Sequence, residues 1–215
     1  ILLCILVFAA AGYFVVMETE TGQDLFLDRL LSVMTQNQQT APVDGLDVYI
    51  CGASSPLSTT GNAQSCVFII AGDRSFVVDT GPGSPRVIRR LGLPLNNLEA
   101  VLLTHFHGDH ISALGDVNFN SWVAGRGKKL TVMGPEGVDL VVNGFNQAYS
   151  LDSSYRTRHH GWDILPLEYS VMQSKTIEAG LVFEEDGLSI RAFRVDHSPI
   201  EPAVGYRFDY KGRSV

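Results

Sequence analysis

Three of the six histidines in this 215-residue chain fall inside one seven-residue stretch, Thr104-His105-Phe106-His107-Gly108-Asp109-His110. His105, His107, Asp109 and His110 are all potential metal ligands. A His-x-His pair leaving the end of a strand can turn two imidazoles towards one ion. The Asp-His pair that follows, projected the other way by a turn at Gly108, can serve a second ion a few ångströms off. Solvated loop histidines offer a blander account, but chance does not cluster three of them with an aspartate and a glycine directly behind an apolar run. The chemistry this pattern suits is metal-assisted attack by water.

Such a loop needs a rigid edge to stand on, and the chain supplies one. The apolar run Leu98 to Leu103 predicts a buried strand ending where the histidines begin. Before it, Leu46 to Cys51, Cys66 to Ala71 and Ser75 to Asp79 predict three strands of a meander, the last two joined by the turn signature Gly72-Asp73-Arg74. Pro85 to Leu91 predicts a helix, Leu130 to Met133 a strand, and Gly137 to Tyr149 a helix with Val138, Val141, Val142 and Phe145 on one face. Residues 151 to 174 carry no clear period and are expected to be irregular. Strand patterning returns at Leu181 to Glu185, Leu188 to Val195 and Ala203 to Tyr210.

The expected organisation is a segment over 1–17, an amphipathic helix and linker over 18–45, and one α/β domain over 46–215. Residues 1–17 contain no charge, which predicts a membrane anchor or export signal and hence a membrane-attached or exported protein. Leu27, Leu30, Leu31 and Met34 place an amphipathic helix at Asp24 to Met34, ahead of a polar linker with Pro42. Of the three cysteines, Cys4 belongs to the apolar run. Cys51 and Cys66 lie in successive strands, where a bridge is open to an exported protein but two small buried apolar side chains are preferred. With 45% apolar and 18% charged residues the chain is neither a disordered tail nor a fibrous repeat. Its net charge of −7 disfavours a polyanionic partner such as nucleic acid.

The stretch His105-Phe106-His107-Gly108-Asp109-His110 resembles the HxHxDH signature of the metallo-β-lactamase superfamily. Phe76 to Gly83, FVVDTGPG, resembles the strand and turn that precede that signature. The resemblance extends over most of residues 46–215 and implies an αββα sandwich with an incomplete second half. It assigns Asp79 to bracing the metal loop without ligating. His197, followed by Gly205-Tyr206-Arg207, is similar to the histidine and GYR strand of the ribonuclease Z and arylsulfatase-like branch, so His197 becomes the third imidazole beside His105 and His107. Asp196, its neighbour on a strand, points to the other face and is the weaker candidate. The branch's bridging aspartate and final histidine do not occur before Val215, so the sequence reads as a fragment at both ends.

The resemblance implies a hydrolase holding two divalent ions, zinc by preference, in which Asp109 orients a water and takes its proton. Dimerisation is open by the same resemblance. Arg156, Arg158, His159 and His160, read as a loop, are candidates for meeting an anionic substrate group or for a plain solvated basic segment. The expected substrate is a small phosphodiester, sulfate ester or similar ester. The strict ribonuclease Z activity on precursor transfer RNA is the alternative, opposed by the charge, the apolar N-terminus and the lack of a lysine-rich, glycine-rich arm between the visible strands. A β-lactamase or lactonase, and a membrane-tethered module whose metal is only structural, are further alternatives.

Overall fold

The computed structural model describes residues 12–14, 18–26, 29, 44–57 and 61–215. The chain divides into two compact units, Ile1–Ala41 and Pro42–Val215. In the first, residues 20–26 are helical, and the Thr19 hydroxyl accepts the Gly22 N–H at 3.1 Å, capping the first turn. This helix starts earlier than the Asp24 expected from apolar spacing; most of its expected later part lies outside the described residues. No helix among the described residues is long and apolar enough to cross a membrane. The anchor expected at residues 1–17 therefore finds no support in the structure, and most of that run lies outside the described residues.

The second unit is built from two sheets. The first has the order β1 (Leu46–Gly52), β2 (Cys66–Ala71), β3 (Arg74–Val78), β4 (Leu98–Leu102), β5 (Thr131–Gly134), β6 (Gln173–Thr176). Its first three strands form the antiparallel meander expected from the sequence. From β3 onward the pairings are parallel. The second sheet is antiparallel, β7 (Gly180–Glu185), β8 (Leu188–Arg194), β9 (Val204–Tyr210) and β10 (Arg213–Ser214).

Alternation of side chains sorts the core into two layers. Ile69, Phe76, Ala100 and Leu102 of the first sheet meet Val182, Leu188, Ile190 and Phe208 of the second. Phe68, Val77, Val101 and Val132 point the other way, onto α1 (Ser84–Arg90), α3 (Leu114–Val123) and α4 (Val138–His160). The result is a helical layer, a sheet and a second sheet. The outer face of that second sheet carries Leu181, Arg191, Phe193 and Arg207 in solvent.

Three sequence expectations change. The helix that was to end at Tyr149 runs to His160, and the segment thought irregular also holds α5 (Leu167–Ser170) and β6. Helix α3 was not anticipated, because its inward face includes Asn118 and Ser121. Both face the buried guanidinium of Arg126, which donates to Asn118 Oδ1 at 2.9 Å, to the Tyr169 carbonyl at 2.7 Å and to Ser121 Oγ. Cys51 and Cys66 are not two separate buried thiols but a disulfide, with Cα atoms 5.0 Å apart. The irregular register that sets Gly52 against Cys66 lays the two side by side.

Candidate metal centre

Strand β4 ends at Leu102, and the chain then runs over the sheet edge through Thr104 to the single turn α2 (Gly108–Ile111). That turn is closed by the His110 N–H on the His107 carbonyl at 2.9 Å. It presents Asp109 and His110 together, with Asp109 Oδ2 3.5 Å from His110 Nε2. The turn after β3 clamps it from below: Thr80 N–H donates to the His110 carbonyl at 2.6 Å, and Ala113 N–H to the Thr80 carbonyl at 2.8 Å. Glycine is required at 81, since a Cβ there would lie 2.2 Å from the Asp109 carbonyl oxygen.

His197 arrives from the other sheet. The β8–β9 connection is held by Val195 N–H on the Ala203 carbonyl at 3.1 Å and Ile200 N–H on the His197 carbonyl at 2.9 Å. The start of β9 is sewn to the end of β4 by Val204 N–H on the Thr104 carbonyl, 3.0 Å, and by the Tyr206 hydroxyl on the Leu103 carbonyl, 2.8 Å. Burial holds that phenol well above its ordinary pKa, with the Asp79 charge adding to the effect.

The outcome is convergence. One nitrogen each from His105, His107 and His197 lies within 4.8 Å of the others. Among the described residues this is the one group of three histidine, cysteine or acidic side chains so placed. His105 Nε2 and His107 Nδ1 stand 3.1 Å apart, close to the ~3.3 Å between two nitrogens on one tetrahedral zinc. The donor set fits a divalent ion of intermediate softness, because imidazole suits zinc, copper, iron and nickel. His105 is 5% exposed, and burial, then the neighbouring His110, pushes its pKa down to about 4. It is therefore neutral near pH 7, as a ligand must be.

Asp79 sits beneath both groups, 4% exposed and in the left-handed region at φ 57°, which aspartate tolerates better than most residues. Its Oδ1 accepts Thr104 N–H at 2.8 Å. Its Oδ2 faces the Thr104 hydroxyl at 2.8 Å and His110 Nδ1 at 2.7 Å, with Ser65 Oγ at 3.5 Å. Burial alone would lower the His110 pKa, but the Asp79 hydrogen bond and the Asp79 and Asp109 charges raise it above the ordinary value.

These opposite shifts set a pH dependence. For His105 the unfolded chain takes a proton near pH 6.5 and the folded one only near 4, so metal-free stability falls as pH drops through that window. For His110 the folded state binds its proton more tightly, and that contribution is lost as pH rises through the raised pKa. Urea midpoints in chelator should fall between pH 6.5 and pH 5, where His105 takes a proton in the unfolded chain alone; an unchanged midpoint over that interval would contradict the His105 shift.

Other candidates stand elsewhere. Asp196 turns back on its own loop and accepts Ser198 N–H at 3.1 Å. Arg156, Arg158, His159 and His160 are not on a loop but at the end of α4. Arg156 is paired with Asp152 at 2.9 Å and lies over the Phe119 ring, and Arg158 lies over Tyr155. Gly137, immediately before α4, is the end that abuts Phe106 of the metal loop. A helix of this length spans about 34 Å, so the structure does not bring the basic turn to the histidine cluster. Positive side chains there complement the helix dipole. Thr104, Ser65 and Tyr206 were not anticipated as site residues. Thr104 had a signal, a hydroxyl directly ahead of the His-x-His pair, and Tyr206 lay within the GYR strand without a role assigned to it; Ser65 had none.

Two packed sheets with helices on one outer face, and histidines delivered from loops at a shared edge, are the architecture of a metallo-β-lactamase-type domain. Residues 59–166 match the Metallo-beta-lactamase superfamily, and the chain belongs to that superfamily. It is 34% identical over 173 residues to ribonuclease Z of Mycolicibacterium gilvum (strain PYR-GCK), covering 79% of this chain and 59% of that protein. The chain thus spans about three fifths of the length of the curated relative. In fold it is similar to human tRNase Z, short form, at TM-score 0.57 and 18% identity over 78% of this chain and 66% of that one. The metallo-beta-lactamase fold protein YhfI from Bacillus subtilis gives TM-score 0.55 and 18% identity, over 79% and 60% of the two chains.

Proposed function

We propose that this chain carries the metal centre of a hydrolase that uses water to cleave a phosphodiester, sulfate ester or similar small anionic ester. The observation that supports it is the approach of His105, His107 and His197 to within 4.8 Å, beside the Asp109 and His110 pair. His105, His107 and His197 would hold a divalent cation, zinc by family, which would supply the charge that lowers a water's pKa to about 7 and polarises the ester. Asp109, whose Oδ2 stands 3.5 Å from His110 Nε2, would orient the attacking water and accept its proton. Neutral His105 contributes a lone pair and adds no positive charge of its own.

A small ester is preferred to RNA for two reasons. The chain is acidic, at −7. The hairpins β7–β8 and β9–β10 turn on two residues each, Asp186-Gly187 and Lys211-Gly212, so neither extends as a basic arm for a polyanion. A ribonuclease Z-like activity is the second reading, favoured by the name of the 34% identical relative. Export to an oxidising compartment is part of the proposal, supported by the uncharged run at 1–17 and the Cys51–Cys66 disulfide.

The test is a substrate panel on the zinc-loaded chain: bis-p-nitrophenyl phosphate, a precursor transfer RNA with a 3′ trailer, and a chromogenic β-lactam. Hydrolysis of the small diester with little cleavage of RNA is expected. Preferential RNA cleavage would transfer the assignment to the second reading. Tight zinc with no turnover of any ester would make the domain a metal-binding module instead.

A further inference from the structure

Thr104 links β4 to the buried His105, and every polar atom it has is engaged. Its N–H donates to Asp79 Oδ1 at 2.8 Å, and its carbonyl accepts Val204 N–H at 3.0 Å. Its hydroxyl oxygen lies 2.8 Å from Asp79 Oδ2 and 3.0 Å from His105 Nδ1. A hydroxyl has one proton. An ionised carboxylate can only accept, so at 2.8 Å that proton is committed to Asp79. What remains on Thr104 Oγ is a lone pair, and the nitrogen facing it must bring the hydrogen. A hydrogen on Nδ1 leaves Nε2 bare, and Nε2 is the atom turned to His107 at 3.1 Å.

The same carboxylate oxygen reads out a second ring directly. His110 Nδ1 is 2.7 Å from Asp79 Oδ2 and 3.4 Å from Thr104 Oγ, so its hydrogen goes to Asp79 and its Nε2 is left facing Asp109. One buried acid thus sets two rings, His110 by contact and His105 through an intervening hydroxyl.

We infer that Thr104 is a positioning residue whose hydroxyl relays the Asp79 charge to His105 and fixes that ring as its Nδ1–H tautomer, with Nε2 free to ligate. Its consequence for zinc rests on the hydrolase reading, whereas the tautomer itself does not. Outer hydrogen-bond partners of metal-bound histidines are worth about 10–100-fold in metal affinity.

The experiment has two arms, both on the full chain. In the first, ¹⁵N-resolved imidazole spectra of the metal-free protein report which His105 nitrogen carries hydrogen, the resonances being assigned by their loss in His105→Asn. Nδ1–H is expected; Nε2–H in the wild type overturns the inference whatever the variants do. In the second, zinc affinity is read by competition with a chromogenic chelator. Thr104→Val keeps the shape but removes the hydroxyl, and should weaken zinc by about 10–100-fold and release the His105 tautomer. Thr104→Ser should restore both to within about threefold of wild type. A Thr104→Val protein with unchanged tautomer and unchanged zinc affinity overturns the relay. A wild type that shows the Nδ1–H tautomer but holds no zinc would sink the hydrolase reading and leave the relay standing.

Discussion

Replacing His107 with alanine is expected to abolish zinc binding by the three-histidine set, and with it all ester hydrolysis, while the domain stays folded. The side chain is exposed, so its loss opens no cavity in the core. Two imidazoles remain where catalytic zinc needs three protein ligands. The fall in affinity should exceed the roughly 100-fold cost of losing an outer partner. His159→Ala is the matched control. It sits in the last turn of α4, and its zinc content should equal that of wild type. Zinc per chain by mass spectrometry decides the matter, and equal loss in both variants would contradict the ligand assignment.

Asp79→Asn should be nearly as severe for metal although it changes almost nothing in size. Asparagine tolerates the left-handed backbone at this position, and its carbonyl can keep Thr104 N–H. Its amide group, however, puts a donor where Oδ2 accepted two hydrogens. The Thr104 hydroxyl must then turn its proton towards His105 Nδ1, and the His105 hydrogen moves to Nε2, the ligating atom. His110 Nδ1 also meets a donor, and its hydrogen moves to the side facing Asp109. Both rings are blocked at once. Zinc affinity should fall by about 100-fold or more, against a stability loss of about 1–3 kcal/mol for the disturbed buried bonds. Chelator competition and urea unfolding measure the two separately, and unaltered zinc affinity would refute the tautomer argument.

What could be read in the sequence was whatever is local. HFHGDH holds four candidate ligands within six positions, so spacing alone announced it, and the apolar runs around it showed where the sheet edge must be. His197 was visible only through its resemblance to a histidine followed by a GYR strand, because a contact across most of the domain leaves no local period. Thr104 and Tyr206 passed unassigned: one hydroxyl or one phenol is not distinctive until the acceptor it meets is known. Helix α4 was cut short because its inward face past Tyr149 is Ser153 and Thr157, while Leu151 and Tyr155 point outward. The apolar stripe fades although the helix continues. The disulfide was legible as a possibility, and only the irregular register near Gly52 brought the two sulfurs together.

The three histidines that converge come from different layers: His105 and His107 leave the six-stranded sheet, and His197 leaves the four-stranded one, about ninety residues later. An ion bound by all three is consequently a cross-link as well as a reagent, riveting the layers at one rim and closing a long loop whose entropy the unfolded chain would otherwise keep. Adhesion between the layers and competence for chemistry are then one property, so any partial opening that peels the smaller sheet away also ejects the ion.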